Sequence, residues 1–153
     1  MKEREPILVS ACLLGEPCRY DGGSQPVAAV KALADRYRLI PVCPESFGGL
    51  PIPREPSEVV GDRVVSRSGN DVTAAYRRGA ELTLALARVN GCRAAILKEK
   101  SPSCGVGKIH NGRFDGGLVE GNGITAALLL ASGIAVFGES RIDELNAFLG
   151  GDQ

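Results

Sequence analysis

The amino-acid sequence predicts an α/β fold: a single-domain, three-layer sandwich on a mostly parallel, Rossmann-like sheet, with long loops at the strand carboxyl ends. Three observations lead there. Short apolar runs alternate with segments of helical periodicity. No internal repeat or low-complexity tract interrupts that alternation. The 153 residues suit one domain spanning 1–153, and 44% hydrophobic content suffices for one core without covalent staples.

Pro6-Ile7-Leu8-Val9-Ser10 reads as the first strand, short and apolar. A turn-rich loop follows, carrying Gly15, Pro17, Asp21, Gly22 and Gly23. A helix is expected from Pro26, capped by Ser24 or Gln25, with Val27, Val30, Leu33, Ala34 and Tyr37 at helical spacing. Arg38-Leu39-Ile40-Pro41-Val42 is the second strand. Pro41 removes a ladder donor and places that strand at or near an edge.

A Pro/Gly-rich loop runs from Pro44 to Pro56. Val59-Val60 and Val64-Val65 flank Gly61-Asp62, a two-residue hairpin turn. The second helix starts near Asp71, with Val72, Ala75, Tyr76, Gly79, Leu82, Thr83 and Leu86 on one face, and stops at Asn90-Gly91. Ala94-Ala95-Ile96-Leu97 is strand three. A loop from Lys98 to Gly123 follows, with a small hairpin turning at Asn111-Gly112. A helix from Asn122 to Ala131, strand four (Ile134-Ala135-Val136-Phe137) and a last helix carrying Leu145, Phe148 and Leu149 complete the chain. Ser140-Arg141-Ile142-Asp143 resembles a capping box for that helix.

Composition narrows the function. Eighteen basic and eighteen acidic residues cancel, which argues against a duplex nucleic-acid binder. Aromatics make up 5%, with no Trp, which weakens base-stacking platforms. Glu3 and Glu5 spoil the amino terminus as a signal peptide. The longest apolar run, Ile124 to Phe137, is too short for a membrane span and is broken by Ser132 and Gly133. A cytoplasmic protein with no membrane partner is expected. Five cysteines, an odd number without secretion signals, argue for metal or thiol chemistry over a disulfide framework.

Cysteine placement is the informative feature. Cys12 follows strand one, Cys43 follows strand two, and Cys104 lies in the loop after strand three. In a parallel sheet those loops leave the same edge, where ligands bind. Three convergent thiols without a histidine partner suit a soft metal centre, with an iron–sulfur cluster and zinc as the alternatives. The plainer alternative is that each thiol only packs. Cys92 precedes strand three and is read as core packing. Cys18 shares the first loop with Cys12; a spare ligand, a resolving thiol and no role at all are the alternatives, with no role preferred.

Other polar groups fall in the same loops. Glu45, two residues past Cys43, is an acid/base candidate or a solvent-facing carboxylate. Ser101 and Ser103 are able to bind a ligand or merely shape the Ser101-Pro102-Ser103-Cys104-Gly105 loop. Arg54 and Glu55 are read as ties between loops. His110, the only histidine, is read as a loop residue. Gly105-Val106-Gly107-Lys108 lacks the spacing of a phosphate loop.

Several motifs together resemble the thiouracil desulfurase family. They are Ser10-Ala11-Cys12-Leu13-Leu14-Gly15, Cys18-Arg19-Tyr20-Asp21-Gly22, Cys43-Pro44-Glu45, Gly48-Gly49-Leu50-Pro51-Ile52-Pro53-Arg54, Lys98-Glu99-Lys100-Ser101-Pro102-Ser103-Cys104-Gly105 and Gly121-Asn122-Gly123-Ile124-Thr125-Ala126. The resemblance implies a [4Fe-4S] cluster held by Cys12, Cys43 and Cys104, with one iron left open. It implies a non-redox desulfuration of a small thiolated nucleobase, 2-thiouracil giving uracil and sulfide. Glu45 and Ser101 would be catalytic, and Ser101 and Ser103 would bind substrate. The competing reading is a metal- or sulfide-binding module, such as a sulfur carrier, without hydrolytic turnover.

Overall fold

The computed structural model describes residues 4–150. Along the chain, β1 (Glu5–Ser10) leads through a 3-10 turn (Ala11–Leu14) to α1 (Ala28–Lys31), which tightens into a second 3-10 turn (Ala32–Asp35). β2 (Tyr37–Val42) is followed by α2 (Pro44–Phe47), the hairpin of β3 (Ser57–Val60) and β4 (Arg63–Ser66), and the long α3 (Thr73–Asn90). Then come β5 (Ala94–Leu97), a second hairpin of β6 (Lys108–His110) and β7 (Leu118–Glu120), α4 (Ile124–Ala131), β8 (Ala135–Gly138) and α5 (Ile142–Phe148).

The central sheet has the order β2-β1-β5-β8, and every pairing in it is parallel. Period-two alternation splits its side chains between two cores. Ile7 and Val9 of β1 face Val30, Leu33 and Leu145 on one side. Leu8 faces Leu84, Ala87, Ala126 and Leu129 on the other. β5 repeats the pattern, with Ala94 and Ile96 on the first side and Ala95 and Leu97 on the second. The α/β/α sandwich follows from these two faces. Each fully buried aliphatic side chain contributes about 1.5–3 kcal/mol. The four sheet strands match the four expected, and Pro41 does lie in an edge strand.

Several local expectations are corrected. Neither Ser24 nor Gln25 caps α1: the capping position is Val27, whose N–H bonds the Leu13 carbonyl at 3.0 Å. Tyr37 opens β2 instead of closing the helix, because its ring packs beneath the sheet and its hydroxyl bonds Asn146 at 2.6 Å. On α3, Leu84 is buried and Leu82 is exposed, so the buried stripe is rotated from the one expected. The capping position of that helix is Val72, and Asp71 just before it accepts Thr73 N–H at 2.9 Å. The β6–β7 connection is not a tight turn at Asn111-Gly112 but the whole stretch between His110 and Leu118. No capping box forms at α5, because the Ser140 hydroxyl bonds the Glu99 carboxylate instead.

Candidate functional site

The sheet order turns back on itself at β1, which has β2 on one side and β5 on the other. Such a switch point opens a crevice beyond the strand carboxyl ends. Here it holds a cavity of about 350 Å³ lined by Cys12, Cys18, Cys43 and Cys104 together with Glu45 and Ser101. All five cysteines of the chain are free thiols, and Cys92 lies elsewhere, in the core beside Leu84 and Ala87.

Each thiol is fixed by backbone close to a strand end. Cys12 sits in the 3-10 turn that leaves β1, closed by Gly15 N–H to the Cys12 carbonyl at 3.2 Å. Cys43 precedes Pro44 at the start of α2, and its thiol approaches the Ser46 hydroxyl at 3.3 Å. Cys104 is held from behind. The first N–H groups of α4, which a helix leaves without internal partners, donate to its loop instead. Ile124 N–H bonds the Pro102 carbonyl at 2.9 Å and Thr125 N–H the Ser103 carbonyl at 2.8 Å. The Ser10 hydroxyl accepts Lys98 N–H at 2.9 Å, tying the exit of β5 to that of β1.

The thiols differ electrostatically. A hydrogen bond from Cys18 holds Cys12 below the ordinary thiol range, against the opposing effect of burial, and the Lys98 charge adds to the lowering. Donation to Cys12 raises Cys18 to about 11. Contact with Cys18, then burial, pushes Cys43 up. Burial pushes Cys104 up to about 12. Cys18, given no role from the sequence, therefore belongs to the thiol group. Among the described residues, no three His, Cys, Asp or Glu are arranged to hold a metal ion, as a plain zinc site requires.

Glu45 does not face solvent. It lies in the first turn of α2, and its Oε1 accepts Arg54 Nε at 2.9 Å, the Arg54 side chain being 7% exposed. Arg54 also donates to the Cys18 carbonyl at 3.0 Å and the Pro51 carbonyl at 3.1 Å, so one guanidinium joins three segments around the cavity. Glu55 binds the Ser68 backbone and hydroxyl instead. Tyr76 reaches Glu45 from α3, and burial and that carboxylate raise the phenol.

The Ser101 hydroxyl accepts Ser103 N–H at 3.0 Å and Cys104 N–H at 2.9 Å. A hydroxyl has two lone pairs and one proton, so these contacts leave its O–H as a donor. Ser103 is corrected as a substrate-binding candidate. It is fully buried, absent from the cavity wall, and its hydroxyl pairs with Thr125 at 2.9 Å. His110 is also not a plain loop residue: it ends β6 and lines the cavity, with Nδ1 buried and unpartnered. The sequence reading missed Glu58, Arg67 and Phe114, which line the cavity from the two hairpins. Nothing short of tertiary structure brings those residues to the thiols.

Fold and cavity together define a small doubly wound α/β protein with a thiol-lined crevice at its topological switch point. The comparisons with known proteins agree. The model of the 2-thiouracil desulfurase family matches residues 7–141, and the chain belongs to that family. It is 42% identical over 149 residues to the Bacillus subtilis (strain 168) protein YbbK, covering 91% of this chain and 99% of that one. It is similar to the solved structure of the [4Fe-4S]-dependent thiouracil desulfidase TudS, with a TM-score of 0.91, 52% identity, and coverage of 97% of this chain and 99% of that one.

Proposed function

We propose that this chain, as a single domain, is a [4Fe-4S]-dependent enzyme that removes sulfur from a small thiolated pyrimidine, turning 2-thiouracil and water into uracil and hydrogen sulfide. The observation that carries the reading is the convergence of Cys12, Cys43 and Cys104 with Glu45 and Ser101 on one cavity. The donor set fits the cluster. It is made of soft thiols, unbridged and gathered on one cavity. Cys12, Cys43 and Cys104 would hold it, and when bound it supplies an open iron as a thiophilic Lewis acid.

The chain's own residues supply the rest. Arg54 fixes the Glu45 carboxylate, which takes a proton from the attacking water and returns it to a leaving group or ring nitrogen. Ser101 donates its O–H to the bound heterocycle. The reaction moves no net electrons, so no reductant is needed. Within the described residues no helix is long and apolar enough to cross a membrane, and a cytoplasmic enzyme without a duplex nucleic-acid partner fits the balanced charge.

The test is anaerobic cluster reconstitution followed by iron and sulfide assays and sulfide release from 2-thiouracil. Cys12→Ala, Cys43→Ala and Cys104→Ala should lose the cluster, and Cys92→Ala should keep it. Glu45→Ala should keep the cluster spectrum and lose turnover, which a sulfur carrier would not require. Turnover surviving in Glu45→Ala refutes the acid/base role, and a colourless, iron-free protein refutes the cluster.

A further inference from the structure

Phe114 is a large residue in the left-handed region, at φ 56°, a conformation that suits glycine. Strained residues of this kind persist where their surroundings hold them, and they gather at ligand sites. Here the holding group is identifiable. Glu58, only 7% exposed, accepts Gly112 N–H at 2.8 Å and Phe114 N–H at 3.1 Å through the same Oε1. A buried carboxylate is thus spent on the backbone of one loop. The Arg67 guanidinium lies over the Phe114 ring, 5.6 Å from its centroid. Glu58, Arg67 and Phe114 all line the cavity that holds the thiols.

A thiolated pyrimidine is a flat, electron-poor ring, and flat rings bind aromatic side chains by their faces. We propose that Phe114 is the specificity-determining wall against which the substrate ring lies, and that Glu58 is the residue that positions it. The wall selects a planar heteroaromatic ring over a puckered one. This inference rests on the desulfurase reading for the identity of its ligand.

The test uses cluster-loaded protein with 2-thiouracil, its non-planar 5,6-dihydro analogue, and uracil. Phe114→Gly is the decisive variant, because glycine suits φ 56° and removes the ring without straining the loop. It should retain full iron and melt close to the wild type, relief of the left-handed backbone offsetting the lost Arg67 contact. Its KM for 2-thiouracil and its dissociation constant for uracil should rise roughly 5- to 150-fold, the range of a base–aromatic stack. kcat should change far less, and the preference for 2-thiouracil over the dihydro analogue should collapse. Phe114→Tyr should restore both binding and preference. Glu58→Gln, which keeps an acceptor oxygen, should bind like the wild type, whereas Glu58→Ala should behave like Phe114→Gly.

Unchanged uracil affinity and unchanged preference in Phe114→Gly, in an enzyme that still releases sulfide, overturn the wall and leave the desulfurase reading intact. A wild type that binds uracil without releasing sulfide overturns the desulfurase reading, and loss of that binding in Phe114→Gly then still supports the wall. A wild type that binds neither pyrimidine overturns both.

Discussion

Gly79→Ala sets helix propensity against packing. Gly79 lies inside α3, and alanine there gains about 0.8–1 kcal/mol of intrinsic helix stability. The added methyl, however, would lie 2.6 Å from the carbonyl carbon of Pro44, and nearer still to its oxygen. Carbon atoms in contact sit about 3.5–4.0 Å apart, so α2 must retreat by roughly 1 Å. The neighbour is backbone, with no flexible side chain to yield. Gly48 makes the reciprocal contact, where a methyl would lie 2.8 Å from the Ala75 carbonyl carbon. Overpacking of this kind costs about 1–3 kcal/mol, at its upper end here, for a net loss of about 1–2 kcal/mol. In a domain of this size that lowers the melting temperature by roughly 2–8 °C. Because Pro44 sits between Cys43 and Glu45, turnover should fall further than stability, toward about 100-fold for a displacement near 1 Å. Thermal melts and sulfide release on reconstituted protein measure both. An unchanged or raised melting temperature with full turnover would refute the close-contact account.

Arg54→Ala should destabilise the fold by about 2–4 kcal/mol, because it strands the Glu45 carboxylate and frees the Cys18 carbonyl; urea titration checks this, and Arg54→Lys should not restore turnover, lacking the planar fork. Leu84→Ala should cost about 2–4 kcal/mol and Leu82→Ala less than about 0.5 kcal/mol, the reverse of the order the expected stripe implies. The Arg93 hydrogen bond lowers Glu5, so the unfolded chain binds more protons, and this stabilisation is full above the ordinary carboxylate range and is lost as pH falls through the folded value. The pair is half-exposed, so the Glu5→Gln difference in denaturant midpoints at neutral and acid pH should be worth under about 1 kcal/mol.

Much of this molecule was readable from its sequence, for physical reasons. β1 and β5 are short runs buried on both faces, so they stand out as unbroken apolar stretches. Once β1, β2 and β5 are parallel, strand direction puts Cys12 and Cys43 at one edge, and Cys104 joins them only through a loop held by the start of α4. α3 was visible, but its buried stripe was not. Gly79, Thr83 and Leu86 mark one helical face, yet the backbone contact at Gly79 and the sheet beneath Leu84 select a rotation that periodicity cannot separate. α2 escaped notice because four residues set among prolines and glycines carry no period. Cys18 and Phe114 were illegible for a different reason: their meaning comes from partners distant in sequence, Cys43 for one and Glu58 for the other.

The two hairpins carry a consequence for diversification. β3–β4 and β6–β7 are separate two-stranded sheets, spliced into the links after β2 and β5, and no strand of theirs pairs with the central sheet. The thiols and Glu45 hang from the central layers and α2, while Glu58, Arg67, His110 and Phe114 come from these appendages. The hairpin tips can therefore be lengthened or exchanged, whereas the base of the second hairpin is tied to the Cys104 loop through the Lys100–Ile109 bridge. A lineage, or a protein engineer, can retune what enters the crevice while the reactive floor is inherited unaltered.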